Sequence, residues 1–192
     1  VRRIAAAAGQ LFVASGYRAT TMSAIAEAAD VAIQTIYNTV GSKSAVLNLV
    51  LEETGSGPEA PRPVPEFMQE RAERLPDAAG VIEALADWFV EIHQRSGELF
   101  RIIREAAAVD PAVAIFEAER ELRRLTNYHL AAQILAAKDG ARPRMKPEEA
   151  AATIWSVGHP LVYRRLVVEG EWSPDRYRRW IVDTLTGSLL AA

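Results

Sequence analysis

A chain of 192 residues makes one compact unit, or two small ones sharing a core; its 49% hydrophobic and 24% charged residues are the balance of a globular protein, not a disordered one. No run approaches the roughly 18 uninterrupted apolar residues of a membrane span, and no apolar leader with a cleavage site is visible. The lack of cysteine removes disulfides, thiolate metal sites and a cysteine nucleophile, and fits a reducing cytoplasm. A net charge of −3 argues at first against a nucleic-acid partner, but it is unevenly spread. Residues 1–50 hold four basic side chains (Arg2, Arg3, Arg18, Lys43) against two acidic ones (Glu27, Asp30), so the head is positive and the remainder acidic. The chain starts at Val1 instead of Met, so an upstream piece is expected, one that could carry a basic arm.

The pattern predicts an all-α protein: Ala, Leu, Glu and Arg abound, and no alternating apolar run is long enough for a strand. Ile4, Ala8, Leu11, Phe12 and Ser15 share one face of a first helix that Gly16 stops. Thr21 caps a short second helix with Met22, Ile25, Ala26 and Ala29 inward, and Asp30-Val31 form a turn. A third helix covers about Ala32 to Thr39, and a fourth runs from about Ser42 to Glu53. Residues 54–65 crowd Gly55, Gly57, Pro58, Pro61, Pro63 and Pro65 into a linker or ordered loop, dividing the chain into domains 1–53 and 54–192. Longer helices follow: Ala79–Arg95, with Ile82, Leu85, Ala86, Phe89 and Ile92 on one stripe, then Glu98–Ala108. Asp110-Pro111 opens a long helix ending at Lys138-Asp139-Gly140. Pro147 opens another to about Glu169, in which Pro160 should cause a kink and free a carbonyl near residue 156. Ser173-Pro174 opens the last, to about Leu190.

Three short helices with tight turns suit a helix-turn-helix, because a helix about 10–12 Å wide fits the DNA major groove. Gln34, Thr35, Asn38 and Thr39 on the third helix can hydrogen-bond, and Tyr37 offers a hydroxyl at phosphate distance. Lys43, at the start of the next helix, can hold a phosphate together with free backbone N–H groups.

The run Leu11-Phe12, Gly16-Tyr17, Thr20-Thr21-Met22, Ile25 to Val31, Thr35-Ile36-Tyr37, Ser42-Lys43 and Leu47 resembles the N-terminal domain of the TetR family of bacterial transcriptional regulators. The resemblance covers about fifty residues and implies a three-helix DNA-binding domain followed by a larger helical ligand-binding and dimerisation domain. By position it implies that Ser23, Gln34 and Asn38 face bases or the groove. Thr21, Thr35, Tyr37 and Lys43 would hold phosphates, and Ala32 and Ile33 touch thymine methyls. Three positions depart from the family pattern. Asp30 replaces a turn glycine, which its tolerance of the left-handed region allows. Thr39 and Val40 replace a common His-Phe pair.

A two-fold operator demands a homodimer. Ile154, Val157 and Leu161 on one helix, and Tyr177, Ile181, Leu185 and Leu189 with Trp180 on the last, are candidates for a four-helix interface. The same stripes can alternatively close the monomer's own core. Trp88, Phe89, Phe100, Phe116, Tyr128 and Trp155 are candidates to line a small-molecule effector pocket, with His93, His129 and His159 as its polar points. His129 is expected to face inward because it follows Leu122 and Leu125 at helical spacing. The runs Glu117–Arg124 and Arg176–Arg179 read as solvated helix faces. No Gly-rich phosphate loop, nucleophile elbow or paired-histidine motif is present, so no enzyme, catalytic residue, cofactor or metal is predicted. The expected function is a ligand-responsive repressor that binds palindromic operator DNA as a dimer. The alternative is a helical ligand-binding or scaffold protein that has lost operator binding.

Overall fold

The computed structural model describes residues 1–59 and 62–191, with Pro58 described by its backbone alone. Pro61, one of the linker prolines, lies outside the described residues. Among the described residues ten α-helices run in order: α1 Arg2–Ala19, α2 Met22–Ala28, α3 Ile33–Thr39, α4 Lys43–Ser56, α5 Val64–Arg74, α6 Ala78–Ala107, α7 Pro111–Ala136, α8 Pro147–Val157, α9 Pro160–Tyr163 and α10 Pro174–Leu189. A 3₁₀ turn covers Gly57–Glu59 and a π-helical turn covers Arg164–Glu169. Among the described residues there is no strand, and no helix is long and apolar enough to cross a membrane.

Two compact units emerge. The first comprises Val1–Pro63 and Arg95–Arg120; the second comprises Val64–Gln94 and Glu121–Ala192. In the first, α1 packs on α4 and α2, and α2 on α3. Ile4, Ala8 and Phe12 of α1, Ile25 of α2, Ile36 of α3, and Val46, Leu47 and Val50 of α4 are buried. Gly16 adopts φ 77° and breaks α1 where the sequence predicts; Thr20 then donates its backbone N–H to Gly16 O. Arg95 donates to Gly55 O at 2.8 Å, tying the end of α4 to α6 within this unit.

The second unit is built on Ile82, Leu85 and Phe89 of α6, Leu135 of α7, Ile154 of α8 and Tyr177, Ile181 and Leu185 of α10. All four tryptophans of the chain belong to it. Ser173 Oγ accepts from Arg176 N at 3.2 Å and Pro174 takes the first turn, the cap-and-proline start read from the sequence.

Three elements differ from expectation. The predicted linker is shorter, since α4 extends to Ser56 and α5 starts at Val64, with Pro65 tolerated in its first turn. The two predicted helices over 79–108 are one, because Ser96 and Gly97 cost an α-helix interior little enough for neighbouring turns to carry them. Near Pro160 the helix breaks outright. Gly158 ends α8, and His159 caps α9 by accepting Leu161 N on Nδ1 at 3.1 Å. The Ser156 carbonyl is not freed; it accepts His159 N at 3.4 Å. A Cβ on Gly158 would come within 2.1 Å of the Phe89 ring, so only glycine allows this close approach.

Candidate nucleic-acid interface

Thr21 caps α2 by accepting Ala24 N at 3.1 Å, and Ser42 caps α4 by accepting Ala45 N at 3.2 Å. Between them Asp30 adopts φ 51°, filling the turn position where glycine is usual, and its carboxylate takes Arg3 at 2.9 Å. Ile36 is the one buried residue of α3. Every other residue of that helix faces solvent: Ile33, Gln34, Thr35, Tyr37, Asn38 and Thr39 are exposed, as are Ala32 at its cap and Thr21 and Ser23 on α2. Tyr37 is 49% exposed and therefore not a core aromatic. Gln34 Nε2 donates to Asn38 Oδ1 at 3.0 Å, and Thr39 Oγ1 donates to Thr35 O at 2.7 Å. Val40, in place of a larger aromatic, is half-buried.

Lys43 lies differently. Its Nζ donates to Thr20 O at 2.7 Å and reaches Arg18 O at 3.5 Å, 4.3 Å above the Tyr17 ring. The ammonium thus satisfies the carbonyl end of α1. Burial lowers its pKa, and the Asp110 carboxylate opposes that shift. The Tyr17 hydroxyl donates to Asp110 Oδ2 at 2.7 Å, while Asp110 Oδ1 accepts Ala112 N at 2.9 Å as the cap of α7. Tyr17, Arg18, Lys43, Val109, Asp110 and Pro111 line a groove of about 340 Å³ within the first unit. The link spans 93 residues of chain, and no local signal foretells it.

The candidate effector residues fall into both units. Phe100 and Phe116 belong to the first, where the Arg120 guanidinium lies 5.1 Å from the Phe100 ring. Trp88, Phe89, His93, Tyr128, His129, Trp155 and His159 belong to the second. His93 is 3% exposed and sits 6.2 Å from Phe89, 5.0 Å from Tyr163 and 6.2 Å from Tyr177, ring centre to ring centre. Phe89 meets Tyr128 edge-on at 5.8 Å. Burial pushes His93 down to about 3, with the charge of Arg124 adding to the shift. Trp88 is buried and packs edge-on to Phe67. A second cluster gathers on Glu121, which accepts Arg124 at 3.0 Å and Trp155 Nε1 at 3.2 Å, with His159 Nε2 at 3.6 Å.

Glu117–Arg124 is therefore not a solvated face. Arg120 is 8% exposed and paired with Glu117, because its i,i+3 carboxylate removes the penalty of burying the charge. Nor is His129 placed by inward leucines. Leu122 and Leu125 are exposed, and half-buried His129 meets Gln133 at 3.2 Å. In the second run, Arg178 reaches across to Asp87 and Glu83.

Of the candidate dimer residues, Ile154, Tyr177, Ile181, Leu185 and Leu189 are enclosed in the unit's own core. They are thus not available to a second copy, which leaves Val157 and Trp180 half-buried and Leu161 39% exposed. Tyr163 and Tyr177 join His93, a grouping that the sequence stripes do not reveal. Among the described residues no cluster of three or more His, Asp or Glu has the arrangement of a metal site.

Residues 2–50 match the family model described as bacterial regulatory proteins, tetR family. A search of curated proteins found no match. Solved structures share the fold over nearly the whole chain. A protein of Mesorhizobium loti assigned to the TetR family of transcriptional regulators aligns with a TM-score of 0.72 at 19% identity, covering 99% of this chain and 96% of its own. NalD, the secondary repressor of the MexAB-OprM multidrug efflux pump in Pseudomonas aeruginosa, aligns at 0.72 and 19% identity, covering 98% and 94%. SmeT, solved as a triclosan complex, aligns at 0.74 and 17% identity, covering 99% and 91%. Residues 2–50 are thus similar to the tetR family of bacterial regulatory proteins, and the chain as a whole shares the fold of these solved structures.

Proposed function

We propose that the chain is a cytoplasmic transcriptional repressor that binds a palindromic operator as a homodimer through residues 1–53 and releases it when a small molecule binds within residues 54–192. The observation that carries this is α3: one buried isoleucine anchors it, and all its hydrogen-bonding side chains are outward. The Gln34–Asn38 bond leaves Gln34 Oε1 as an acceptor and Asn38 Nδ2 as a donor. An adenine edge in the major groove offers the complementary pair. In this reading Thr21, Thr35 and Tyr37, all exposed, hold phosphates, and Ala32 and Ile33 touch thymine methyls. Lys43, bonded to α1 carbonyls, supports the phosphate site by holding the free N–H groups of α4 in place. The aromatic group around His93, uncharged and enclosed, favours an apolar or aromatic effector. The relatives that are named as a repressor and as a triclosan complex support the repressor and effector parts.

The test is selection of bound duplexes from a random pool, followed by titration at several salt concentrations. Binding is expected to be palindromic and to weaken with salt. Tyr37→Phe should weaken all sequences alike, whereas Gln34→Ala should cost about 1–3 kcal/mol at one base position only. A chain that dimerises and takes up small aromatics, yet selects no duplex at any salt, is instead a ligand-binding protein without an operator.

A further inference from the structure

Three helix ends of the first unit meet at one place. The tail of α1 brings Tyr17 and the carbonyls of Arg18 and Thr20; the start of α4 brings Lys43; the start of α7 brings Asp110. Asp110 does two jobs with two oxygens. Oδ1 caps α7 through Ala112 N at 2.9 Å, and Oδ2 accepts the Tyr17 hydroxyl at 2.7 Å. Tyr17 is 7% exposed, stacks on Phe12 at 5.6 Å and carries Lys43 Nζ on its outer face at 4.3 Å. Lys43 closes the chain on Thr20 O at 2.7 Å, one residue before the Thr21 cap of α2. The link is thus continuous from the first turn of α7 to the starts of α2 and α4. The hydrogen bond also holds the Asp110 carboxyl below the usual carboxylate range and, after burial, raises the Tyr17 phenol, as a strong phenol–carboxylate pair does.

We propose that Asp110 and Tyr17 are positioning residues that determine which operator half-site spacing the protein accepts, by tying the DNA-facing ends of α2 and α4 to the first turn of α7. Neither residue touches DNA in this scheme. The base-reading face of α3 contains neither, so affinity for one half-site does not depend on them. Spacing does, because the pair fixes where the starts of α2 and α4 stand on the first turn of α7. The inference rests on the operator-binding dimer proposed above.

The experiment uses the full chain and the palindrome selected from the random pool. It compares affinity for that duplex, for one lengthened between half-sites by about two base pairs, and for a single half-site. Two variants separate the two jobs of Asp110. Tyr17→Phe removes only the hydroxyl and keeps the ring under Lys43. Asp110→Ser keeps a helix cap but is too short to reach Tyr17. The wild type should prefer the selected spacing by about tenfold or more, and both variants should fall to about threefold or less. Half-site affinity should stay within about twofold, and the double variant should be no worse than either single one, since both break the same link. Variants that retain the wild-type spacing preference overturn the inference. So does a loss of half-site affinity equal to the loss of preference, which would make the pair a support for the head's fold alone. A wild-type chain that selects no duplex overturns the operator reading itself.

Discussion

His93 shows what burial does to one residue. Its ring is enclosed by Phe89, Tyr163 and Tyr177, and its pKa falls to about 3. A group whose folded pKa lies below its unfolded one stabilises the fold fully above the unfolded value, about 6.5, and loses that contribution as pH falls toward 3. Below pH 6.5 the native state should therefore lose about 1.4 kcal/mol per pH unit through this residue, in addition to any loss through carboxylates. Urea unfolding between pH 7 and pH 4 is expected to show a shallower slope for His93→Phe than for wild type; parallel slopes would contradict it. At this scale the sequence is informative only in part. Asp30 announces its left-handed turn, and Tyr37 its exposure. Lys43 announces only a cation near α4; the carbonyls it meets come from a helix 23 residues earlier.

Among the elements, two glycines that look alike in sequence have opposite roles. Gly97 lies inside α6 with open space where a Cβ would stand, so Gly97→Ala should stabilise by about 0.5–1 kcal/mol. Gly158 touches the Phe89 ring, and Gly158→Ala should destabilise by about 1–3 kcal/mol as the ring is displaced. Thermal unfolding of the two variants checks both signs. Helix starts were the most legible feature, because Ser173-Pro174, Asp110-Pro111 and Pro147 act through local chemistry. Breaks were less so. Proline at 160 predicts a kink, but the histidine before it provides a cap, and capping favours a new helix over a bent one. Residues 96–97 suggest a break by propensity alone, a weak prior that packing of Leu99, Ile102 and Ile103 overrides.

For the molecule as a whole, apolar periodicity identified which faces of α8 and α10 are buried but not what buries them. The stripe Tyr177, Ile181, Leu185 and Leu189 serves the chain's own core, so the homodimer proposed above would need another surface. Between the two helices, Leu161 of α9 is 39% exposed and Val168 of the π-helical turn 63% exposed. If they pair across a two-fold axis, Leu161→Glu with Val168→Glu should convert a dimer to a monomer in sedimentation at micromolar concentration, with helicity unchanged. A wild-type chain that already sediments as a monomer removes that surface from consideration. The head, by contrast, was legible almost entire, because short helices with fixed turns leave few ways to bury Phe12, Ile25 and Ile36 together.

The tryptophans, confined to one compact unit, give this protein a built-in optical division. Emission excited beyond tyrosine absorption reports Trp88, Trp155, Trp172 and Trp180 alone, while far-ultraviolet dichroism sums the helices of both units. A denaturation in which the two signals part company would time the melting of the first unit against the second without any label attached.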